Sequence, residues 1–240
     1  MAVRLISLAF DANDPTALAR FWADALGWTA TTATTGDGVA LVPNDPTSFT
    51  LQFRAGTAVK TGQNRIHFDL TTADTGDQAG AVAALLARGA TRADVGQTAD
   101  EDHVVLADPE GNELCIIPPT SRFLASCPRL GAVNCDGTHA LGVFWSRALD
   151  WPLVWDHEEE TAIQAPSGDG PKITWSGTPL MPGWGVERIH FHVAPPRGAD
   201  VDGATDALVA LGARRAEHAA CDGAIAMLDV DGNPFCVIPS

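Results

Sequence analysis

The sequence predicts an α+β fold that is built from two tandem copies of one pattern. Three sequence blocks recur in the same order and at nearly constant spacing. The helix-like block 21–28 returns at 144–151, and the strand-like block 65–68 returns at 188–191. The block 108–115 returns at 229–236. Chance would not preserve these gaps. A period this long indicates duplicated domains, since solenoid units run to about 20–50 residues.

Each half of the chain divides into two units with the order strand, helix and three strands. In the first unit, a strand at 3–11 precedes a helix for which Asp14 is the predicted N-cap and Pro15 lies in the first turn. Apolar residues recur there at i, i+3, i+4, i+7 and i+8, as on the buried face of an amphipathic helix, and Gly27 ends it. Three strand-like runs separated by turn residues follow, at 28–34, 39–42 and 49–54.

The same order repeats along the rest of the chain. The second unit comprises a strand at 65–71, a helix at 75–88 and strands at 91–95, 103–107 and 114–117. The second half has a strand at 130–135, a helix at 139–149, strands to 176, a strand at 188–193, a helix at 202–211 and closing strands to 238. We therefore predict two domains, 1–118 and 129–240, each made of two βαβββ units and joined by a proline-containing linker.

Composition narrows the class of protein. The 45% of hydrophobic and 19% of charged residues are typical of a soluble globular protein. No apolar run approaches the roughly 20 residues of a membrane span, and the N-terminus has no signal-peptide layout, so we expect a cytoplasmic protein with no membrane partner. A net charge of −15 argues against nucleic-acid binding. Five dispersed cysteines without a Cys-x-x-Cys pair predict neither a disulfide framework nor a zinc knot.

The repeated blocks resemble those of a known superfamily. The helix motif Phe-Trp-x-x-x-Leu-Gly-Trp, the strand motif Arg-Ile-His-Phe-Asp and the hairpin motif Asp-Pro-Glu-Gly-Asn-Glu-x-Cys are similar to those of the vicinal-oxygen-chelate superfamily, in particular its glyoxalase/bleomycin-resistance/dioxygenase group. The resemblance covers both halves. It implies that two βαβββ units curve into one open, cup-shaped mixed sheet around a cavity. It does not imply one activity, because the superfamily includes isomerases, lyases, dioxygenases and drug-sequestering proteins.

The resemblance also implies where a metal would lie. Metal-dependent members hold a divalent ion with side chains of the first, fourth, fifth and eighth strands, usually His or Gln, Glu, His and Glu, and substrate oxygens chelate that ion. The fifth-strand histidine matches as His67 and His190. The eighth-strand glutamate position falls on Cys115 and Cys236, and the other positions fall on or near Ser7, Gln52, Ala132 and Thr174. Because the carboxylates are missing, no metal or other cofactor is expected.

The candidate site residues follow from these positions and from strand alternation. His67 is a candidate catalytic base, ligand or substrate-orienting donor, and Glu113, which shares a strand face with Cys115, is a candidate replacement carboxylate. The candidate ligand-binding residues are Gln52, Asp69, Cys115, Trp175, His190, His192 and Cys236. Structural alternatives stay open, such as a hydrogen bond from His67 to Asp69, a buried thiol at Cys115 and core packing of Trp175. The segment 100–103 is expected to be an exposed hairpin turn.

Two functions remain open from the sequence. In the first, the protein binds a small organic molecule or antibiotic in its cup without the usual metal set. The alternative is a divalent-metal-dependent lyase of the glyoxalase type or a dioxygenase, in which His67 with Gln52 and Glu113 or Cys115 binds Zn, Ni, Fe or Mn. One half could be active while the other completes the shell. The expected partner is a small-molecule ligand, and the chain is expected to be a monomer, as a pseudo-dimer in one chain, or a homodimer.

Overall fold

The computed structural model describes residues 2–33, 38–56, 60–98, 100–181, 187–216 and 223–239. These residues form four βαβββ units in chain order. The first half contains unit 1, with β1 (Arg4–Ala12), α1 (Pro15–Leu26), β2 (Thr29–Thr32), β3 (Gly38–Val42) and β4 (Thr50–Ala55), and unit 2, with β5 (Ile66–Leu70), α2 (Gln78–Leu86), β6 (Thr91–Arg92), β7 (Val104–Ala107) and β8 (Glu113–Ile116).

The second half repeats this architecture. It contains unit 3, with β9 (Leu130–Cys135), α3 (His139–Leu149), β10 (Leu153–His157), β11 (Glu160–Ile163) and β12 (Lys172–Trp175), and unit 4, with β13 (Ile189–Ala194), α4 (Val201–Ala210), β14 (Arg214–Arg215), β15 (Ile225–Leu228) and β16 (Pro234–Val237). The predicted α+β fold of paired βαβββ units is confirmed.

The strands form two eight-stranded mixed sheets, and each sheet takes one unit from each half of the chain. Sheet A has the order β14-β15-β16-β13-β1-β4-β3-β2, so it combines units 4 and 1. Sheet B has the order β10-β11-β12-β9-β5-β8-β7-β6, so it combines units 3 and 2. Antiparallel pairs close the two seams, β1 with β13 and β5 with β9. A sequence repeat identifies the units but does not say which of them share a sheet. The ranges 1–118 and 129–240 describe the two copies of the repeat, and their status as separate domains stays a prediction.

Local sequence explains where the helices begin and end. The carboxylate of Asp14 accepts a hydrogen bond from the backbone N–H of Ala17 at 2.9 Å, which caps α1 as predicted. Gly27 ends the helix in the left-handed region at φ 72°, where a residue without Cβ is least strained. In the repeat, Thr138 caps α3, and Asp150 occupies the left-handed position at φ 56°.

Aromatic side chains fill the space between the two sheets. Phe68 of β5, in sheet B, lies with its ring centroid 5.5 Å from that of Phe10 in sheet A and 5.1 Å from that of Trp22 on α1. In the repeat, Trp145 on α3 contacts Phe191 and Phe235 of sheet A at 5.0 and 5.1 Å. Edge-to-face packing of such rings adds to the burial of apolar area. One contiguous core therefore packs against both sheets, on the faces that the helices cover.

A polar clamp reinforces this core where the β7–β8 hairpin of sheet B meets the start of α1, which packs on sheet A. Glu110 accepts hydrogen bonds from the backbone N–H groups of Asn13 and Asp14 at 2.9 and 2.8 Å, and it forms a buried ion pair with Arg188. Asp108 accepts a hydrogen bond from the indole N–H of Trp22 at 3.0 Å. The clamp therefore joins the three repeated sequence blocks.

The second copy of the clamp has the same layout with different side chains. Asp231 accepts hydrogen bonds from the backbone N–H and hydroxyl of Thr138 at 2.7 and 3.0 Å, at the start of α3. Arg65 donates to the Asn233 side-chain oxygen at 2.7 Å. The indole N–H of Trp145, unlike that of Trp22, has no hydrogen-bond partner among the described residues.

The cysteine prediction needs one correction. Cys236 is disulfide-bonded, whereas Cys115, Cys127 and Cys135 are free thiols. Cys221 lies outside the described residues. An odd number of dispersed cysteines argues against a framework of several bridges, but it does not exclude a single one. Among the described helices, none combines the length and apolar character that a membrane crossing requires.

We predict that Glu110→Gln lowers the free energy of unfolding by about 3 kcal/mol, because breaking a buried ion pair from one side leaves the other charge uncompensated. The Arg188 side chain is 3% exposed, so solvent cannot replace the lost carboxylate. Urea unfolding followed by tryptophan fluorescence measures the change. Asp206→Asn, at a carboxylate that is 80% exposed beside Arg215, is the matched control and should change stability by about 0.5 kcal/mol or less. Equal effects of the two substitutions would contradict the clamp's role.

Candidate functional site

Strand register places three of the candidate residues on one face of sheet B. On β5, His67 lies opposite Asn134 of β9, and Asp69 is paired with Ala132 on one side and with Cys115 of β8 on the other. Residues two apart on a strand share a face, so His67 and Asp69 point to the side opposite Phe68, which is in the core. The face that carries His67, Asp69 and Cys115 is therefore directed away from the helices.

An open cavity of about 270 Å³ lies over this face. Its apolar wall is Val95, Val105 and Met181, and its polar lining comprises Gln63, Asn64, His67, Gln97, Glu101, His103, Glu113 and Cys115. Ligand cavities combine an apolar wall with a few convergent polar groups, and about 300 Å³ is the lower end of their usual size. The cavity of sheet B therefore suits a small ligand.

The His67 imidazole is held in an anionic environment. Its Nε2 lies 3.5 Å from a carboxylate oxygen of Asp69, and donor atoms of His67, Asp69 and Cys115 all lie within 4.8 Å of one another. Burial alone would lower the pKa of His67. Hydrogen bonds and charges of Asp69 and Cys115 outweigh burial and raise that pKa to about 10. The imidazole is therefore positively charged at neutral pH.

The thiol of Cys115 is shifted in the opposite direction. Burial raises the pKa of a thiol, but at Cys115 the hydrogen bonds from His103 and His67 and the charge of His67 outweigh that effect and lower the pKa. The pKa of His103 is raised, mainly by its hydrogen bond to Cys115. The two imidazoles and the thiol therefore stabilise a thiolate–imidazolium arrangement.

Glu113 lines the same cavity, but its charge is already compensated. Its carboxylate forms an ion pair with the ammonium group of Lys60 and accepts a hydrogen bond from the backbone N–H of Asn64 at 3.2 Å. Glu113 and Cys115 are two residues apart on β8 and therefore share a face, as the sequence predicts. Through these contacts the Glu113 carboxylate holds the segment 60–64 beside the cavity. The catalytic role of Glu113 stays a prediction.

The corresponding face of sheet A has a different electrostatic character. His190 and His192 of β13 lie opposite Ala9 and Ser7 of β1, and Gln52 of β4 pairs with Ala9. The Nε2 atoms of the two histidines are 3.1 Å apart. Register therefore puts Gln52 on the same face as His190 and His192 and in a different sheet from His67.

A guanidinium group controls the charge of these histidines. Arg54 donates to His190 Nε2 at 3.2 Å and pairs with Asp11 at 2.6 Å. Burial and then the positive charge of Arg54 lower the pKa of His190 to about 3. Burial, followed by His190 and Arg54, lowers the pKa of His192 to about 3. Both imidazoles are therefore neutral at physiological pH, unlike His67.

Five of the predicted site residues cannot join His67, because Trp175 lies in the core and the other four belong to sheet A, namely Gln52, His190, His192 and Cys236. Gln52 lies in sheet A, because the partner of unit 2 is unit 3 rather than unit 1. Trp175 alternates with Thr174, so its side chain points into the hydrophobic core and is 1% exposed. Of the two alternatives left open for Trp175, this placement favours core packing, against α3 near Gly142, and its predicted ligand-binding role stays a prediction.

A second imidazole of the cavity, that of His103, was not among the predicted site residues. His103 was expected in an exposed hairpin turn, but it precedes β7 and lines the cavity beside Cys115. The available signal was alternation, because Val105, two residues later, pairs with Cys115 and lies on the same face. The acidic residues around His103 obscured this pattern.

Neither sheet fits the four-ligand metal set that the superfamily implies. In sheet A, His190 Nε2 already accepts N–H hydrogen bonds, Arg54 adds a positive charge, and Cys236 is disulfide-bonded. In sheet B, His67, Asp69 and Cys115 are close together, but the positions equivalent to Ser7 and Gln52 are Ala132 and Thr174 by register. Neither of these residues supplies an imidazole or a carboxylate.

Comparison with known proteins agrees with this description. The fold and the paired cups are those of the vicinal-oxygen-chelate superfamily. Within it, the chain belongs to the glyoxalase-like domain family, whose model matches residues 7–117 and again 132–238. No curated protein matches the chain.

Solved structures extend the comparison. Glyoxalase I from Zea mays superposes with a TM-score of 0.68 at 12% identity and covers 99% of this chain and 92% of that chain. A glyoxalase/bleomycin resistance protein/dioxygenase family enzyme from Burkholderia phytofirmans PsJN matches 47% of this chain and 96% of its own at 19% identity, with a TM-score of 0.35. Identity this low shows the fold alone.

We predict that sheet A makes the protein sensitive to acid. A histidine whose folded pKa is depressed contributes stability that is present above its unfolded pKa of about 6.5 and is lost as pH falls towards the folded value. As the pH falls from 6.5 towards 3, each of His190 and His192 should lower the free energy of unfolding by about 1 kcal/mol per pH unit. Urea unfolding at pH 7, 6 and 5 should give a shallower slope for His192→Gln than for the wild type. His139→Gln, at an exposed histidine, should leave the slope unchanged, and parallel slopes for all three proteins would contradict the prediction.

Proposed function

We propose that this protein binds a small organic molecule in the cavity of sheet B, without the metal set of its superfamily. The single observation that carries this proposal is the convergence of a charged imidazole, a second imidazole and a thiol at the base of an open cavity of about 270 Å³. Desolvated polar groups are costly unless they are satisfied, so a cavity that exposes several of them is suited to a polar ligand.

The difference between the two cups supports the choice of sheet B. In sheet A, Arg54 reaches across to His190, and Asp11 neutralises it, so these side chains satisfy one another within the sheet. In sheet B, the equivalent of His192 is Asp69, and His67 and Cys115 line a cavity. The proposed binding cup thus takes unit 2 from one half and unit 3 from the other, whereas in the cup of sheet A the histidine and the two charged groups bind one another.

The ligand that suits sheet B is small, polar and uncharged or partly anionic. The positive charge of His67 lies at the base, whereas Glu101 lies at the rim and Glu113 is paired with Lys60. Gln63 and Gln97 add side-chain amides to the lining. A carbonyl or hydroxyl group can accept a hydrogen bond from an imidazolium, and the apolar wall of Val95, Val105 and Met181 can cover a hydrocarbon ring.

The alternative function is a metal-dependent lyase or dioxygenase. It is favoured by the proximity of His67, Asp69 and Cys115, whose donor atoms lie within 4.8 Å of one another. It is weakened by the placement of Gln52 in sheet A and by the pairing of Glu113 with Lys60, which remove two of the expected ligands. The two functions make opposite predictions about added metal.

Binding can be tested with cyclohexanone, benzamide and catechol as probes of suitable size. We expect millimolar probe to shift the methyl resonances of Val105 and Met181 in heteronuclear NMR spectra, because these residues form the apolar wall. Gln97→Trp should reduce the shifts by filling the rim. The matched control is Gln52→Trp in sheet A, which should leave them unchanged. Shifts confined to sheet A, or none with any probe, would sink the proposal.

Metal dependence is tested by stability. A site-bound ion at 100 times its Kd would stabilise the fold by about 2.7 kcal/mol, which raises Tm by several degrees in a chain of this size. We predict that Zn²⁺, Ni²⁺, Mn²⁺ and anaerobic Fe²⁺ leave Tm unchanged in the wild type and in His67→Gln. A rise in the wild type that is lost in His67→Gln, with one ion bound per chain, would instead establish the alternative.

A further inference from the structure

We propose that Cys115 is a nucleophile that adds covalently to α,β-unsaturated carbonyl compounds bound in the cavity of sheet B. This inference rests on the proposed binding function of that cavity and extends it to a ligand class and a reaction. Three observations carry it: the position of the thiol on the cavity wall, the imidazoles on both sides of it, and the different state of its counterpart Cys236.

The geometry gives the thiol both access and activation. Cys115 is a free thiol that lines the cavity, although only 6% of its surface is exposed to solvent. His67 approaches it from β5 and His103 from the segment before β7, and each interacts with the thiol by a hydrogen bond. Imidazoles beside a thiol are the usual means of forming a nucleophilic thiolate, and Asp69 orients His67 as the third member.

The charged groups around the thiol act in both directions. Burial and the negative charge of Asp69 raise the pKa of the Cys115 thiol, but the hydrogen bonds from His103 and His67 and the charge of His67 outweigh them. His67 and Asp69 face it from β5, and His103 and Glu101 approach from the segment before β7. Glu113, on the same face of β8, is neutralised by Lys60. The anionic groups nearest to His67 keep it protonated, and the protonated ring then stabilises the thiolate.

The other described cysteines lack this combination. Cys135 is buried in the core, where burial raises its pKa well above 9, and its thiol points to the backbone oxygen of Val133. Cys127 lies 3.3 Å from the ammonium group of Lys172 in the linker region. Cys236 occupies the position equivalent to Cys115 but is disulfide-bonded. Among the described cysteines, only Cys115 combines a free thiol in a cavity wall with two neighbouring imidazoles.

The reaction balances with the groups that are present. The thiolate sulfur attacks the β-carbon, and a C–S bond forms. The electron pair of the carbon–carbon double bond moves to give an enolate. A proton from the imidazolium of His103 or His67 then reaches the α-carbon, and the imidazole becomes neutral. No leaving group departs and no oxidant is needed. A soft thiolate prefers the soft β-carbon of such acceptors, and the enolate oxygen can be stabilised by the second imidazolium.

The test uses 2-cyclohexen-1-one and its saturated analogue cyclohexanone on the intact protein. We expect the enone to add one molecule per chain by intact-mass spectrometry, with the modified peptide containing Cys115. Cys115→Ser should abolish the adduct, and Cys127→Ser, the matched control, should retain it. Cyclohexanone should perturb the same cavity resonances without forming an adduct.

The role of the imidazoles has its own readout. The rate of adduct formation in the wild type should stay high below the ordinary titration range of a thiol. His103→Gln should slow it about tenfold at pH 7 and move the pH profile upwards, because a thiol that loses this imidazole has a higher pKa and forms less thiolate. His67→Gln should act in the same direction. Circular dichroism and urea unfolding establish that each variant is folded. If a variant does not fold, the pH profile of the wild type still tests whether the thiol reacts below its ordinary titration range.

Each other outcome overturns a defined statement. Cyclohexanone shifts without any adduct, or with an adduct at Cys127 or Cys135, would overturn the nucleophile and leave the binding function intact. An adduct at Cys115 whose rate and pH profile are the same in both histidine variants would overturn the activation by imidazoles. Neither resonance shifts nor an adduct would overturn the inference and the proposed function together.

Discussion

The clamp between the β7–β8 hairpin and the start of α1 is the interaction on which the arrangement of the two sheets depends. Glu110, in the turn between two strands of sheet B, caps the helix that packs on sheet A, and Arg188 binds it from the position just before β13. Because the pair is almost fully buried, a small displacement of one sheet would separate the two charges before water could solvate them. Asp231, Asn233 and Arg65 repeat the arrangement on the other side with weaker groups. All three sequence blocks contribute to the first clamp, through Trp22, Arg188 and Glu110. The second clamp uses only two of them, because the indole N–H of Trp145 has no hydrogen-bond partner among the described residues.

The pairing of the units also determines which residues can act together. The seams between β1 and β13 and between β5 and β9 join unit 1 to unit 4 and unit 2 to unit 3, so a cup contains strands from both halves of the chain. Sequence proximity within one half therefore misled the assignment of Gln52 to His67. The family positions were correct along the chain, but the fourth-strand residue that faces His67 is Thr174, 107 residues downstream and in the other half. Hydrophobic patterns specify units, whereas the partner of a unit depends on contacts between distant segments, which no local pattern records.

Much of the rest could be predicted from local rules. The apolar stripe and caps of α1 and α3 fix two helices, and alternation on β5 places His67 with Asp69. One feature was obscured and two could not be predicted. The acidic residues around His103 hide the alternation that places it on the cavity face. Lys60 reaches Glu113 through a loop whose path no periodicity describes. The disulfide at Cys236 depends on distance in the fold, which spacing along the sequence does not give.

The two cups show how a duplicated scaffold acquires two electrostatic characters through few substitutions. His67 and His190 occupy equivalent positions, and so do Cys115 and Cys236. The residue two positions after the histidine is Asp69 in one cup and His192 in the other. Asp69 supplies a negative charge that keeps His67 protonated, and the protonated ring stabilises a thiolate. Burial and the positive charge of Arg54 leave His190 neutral, so its Nε2 accepts a hydrogen bond instead. The two equivalent histidines thus differ in protonation because a carboxylate lies beside one and a guanidinium group beside the other. The chemistry of each cup follows from the charge that lies next to its repeated histidine.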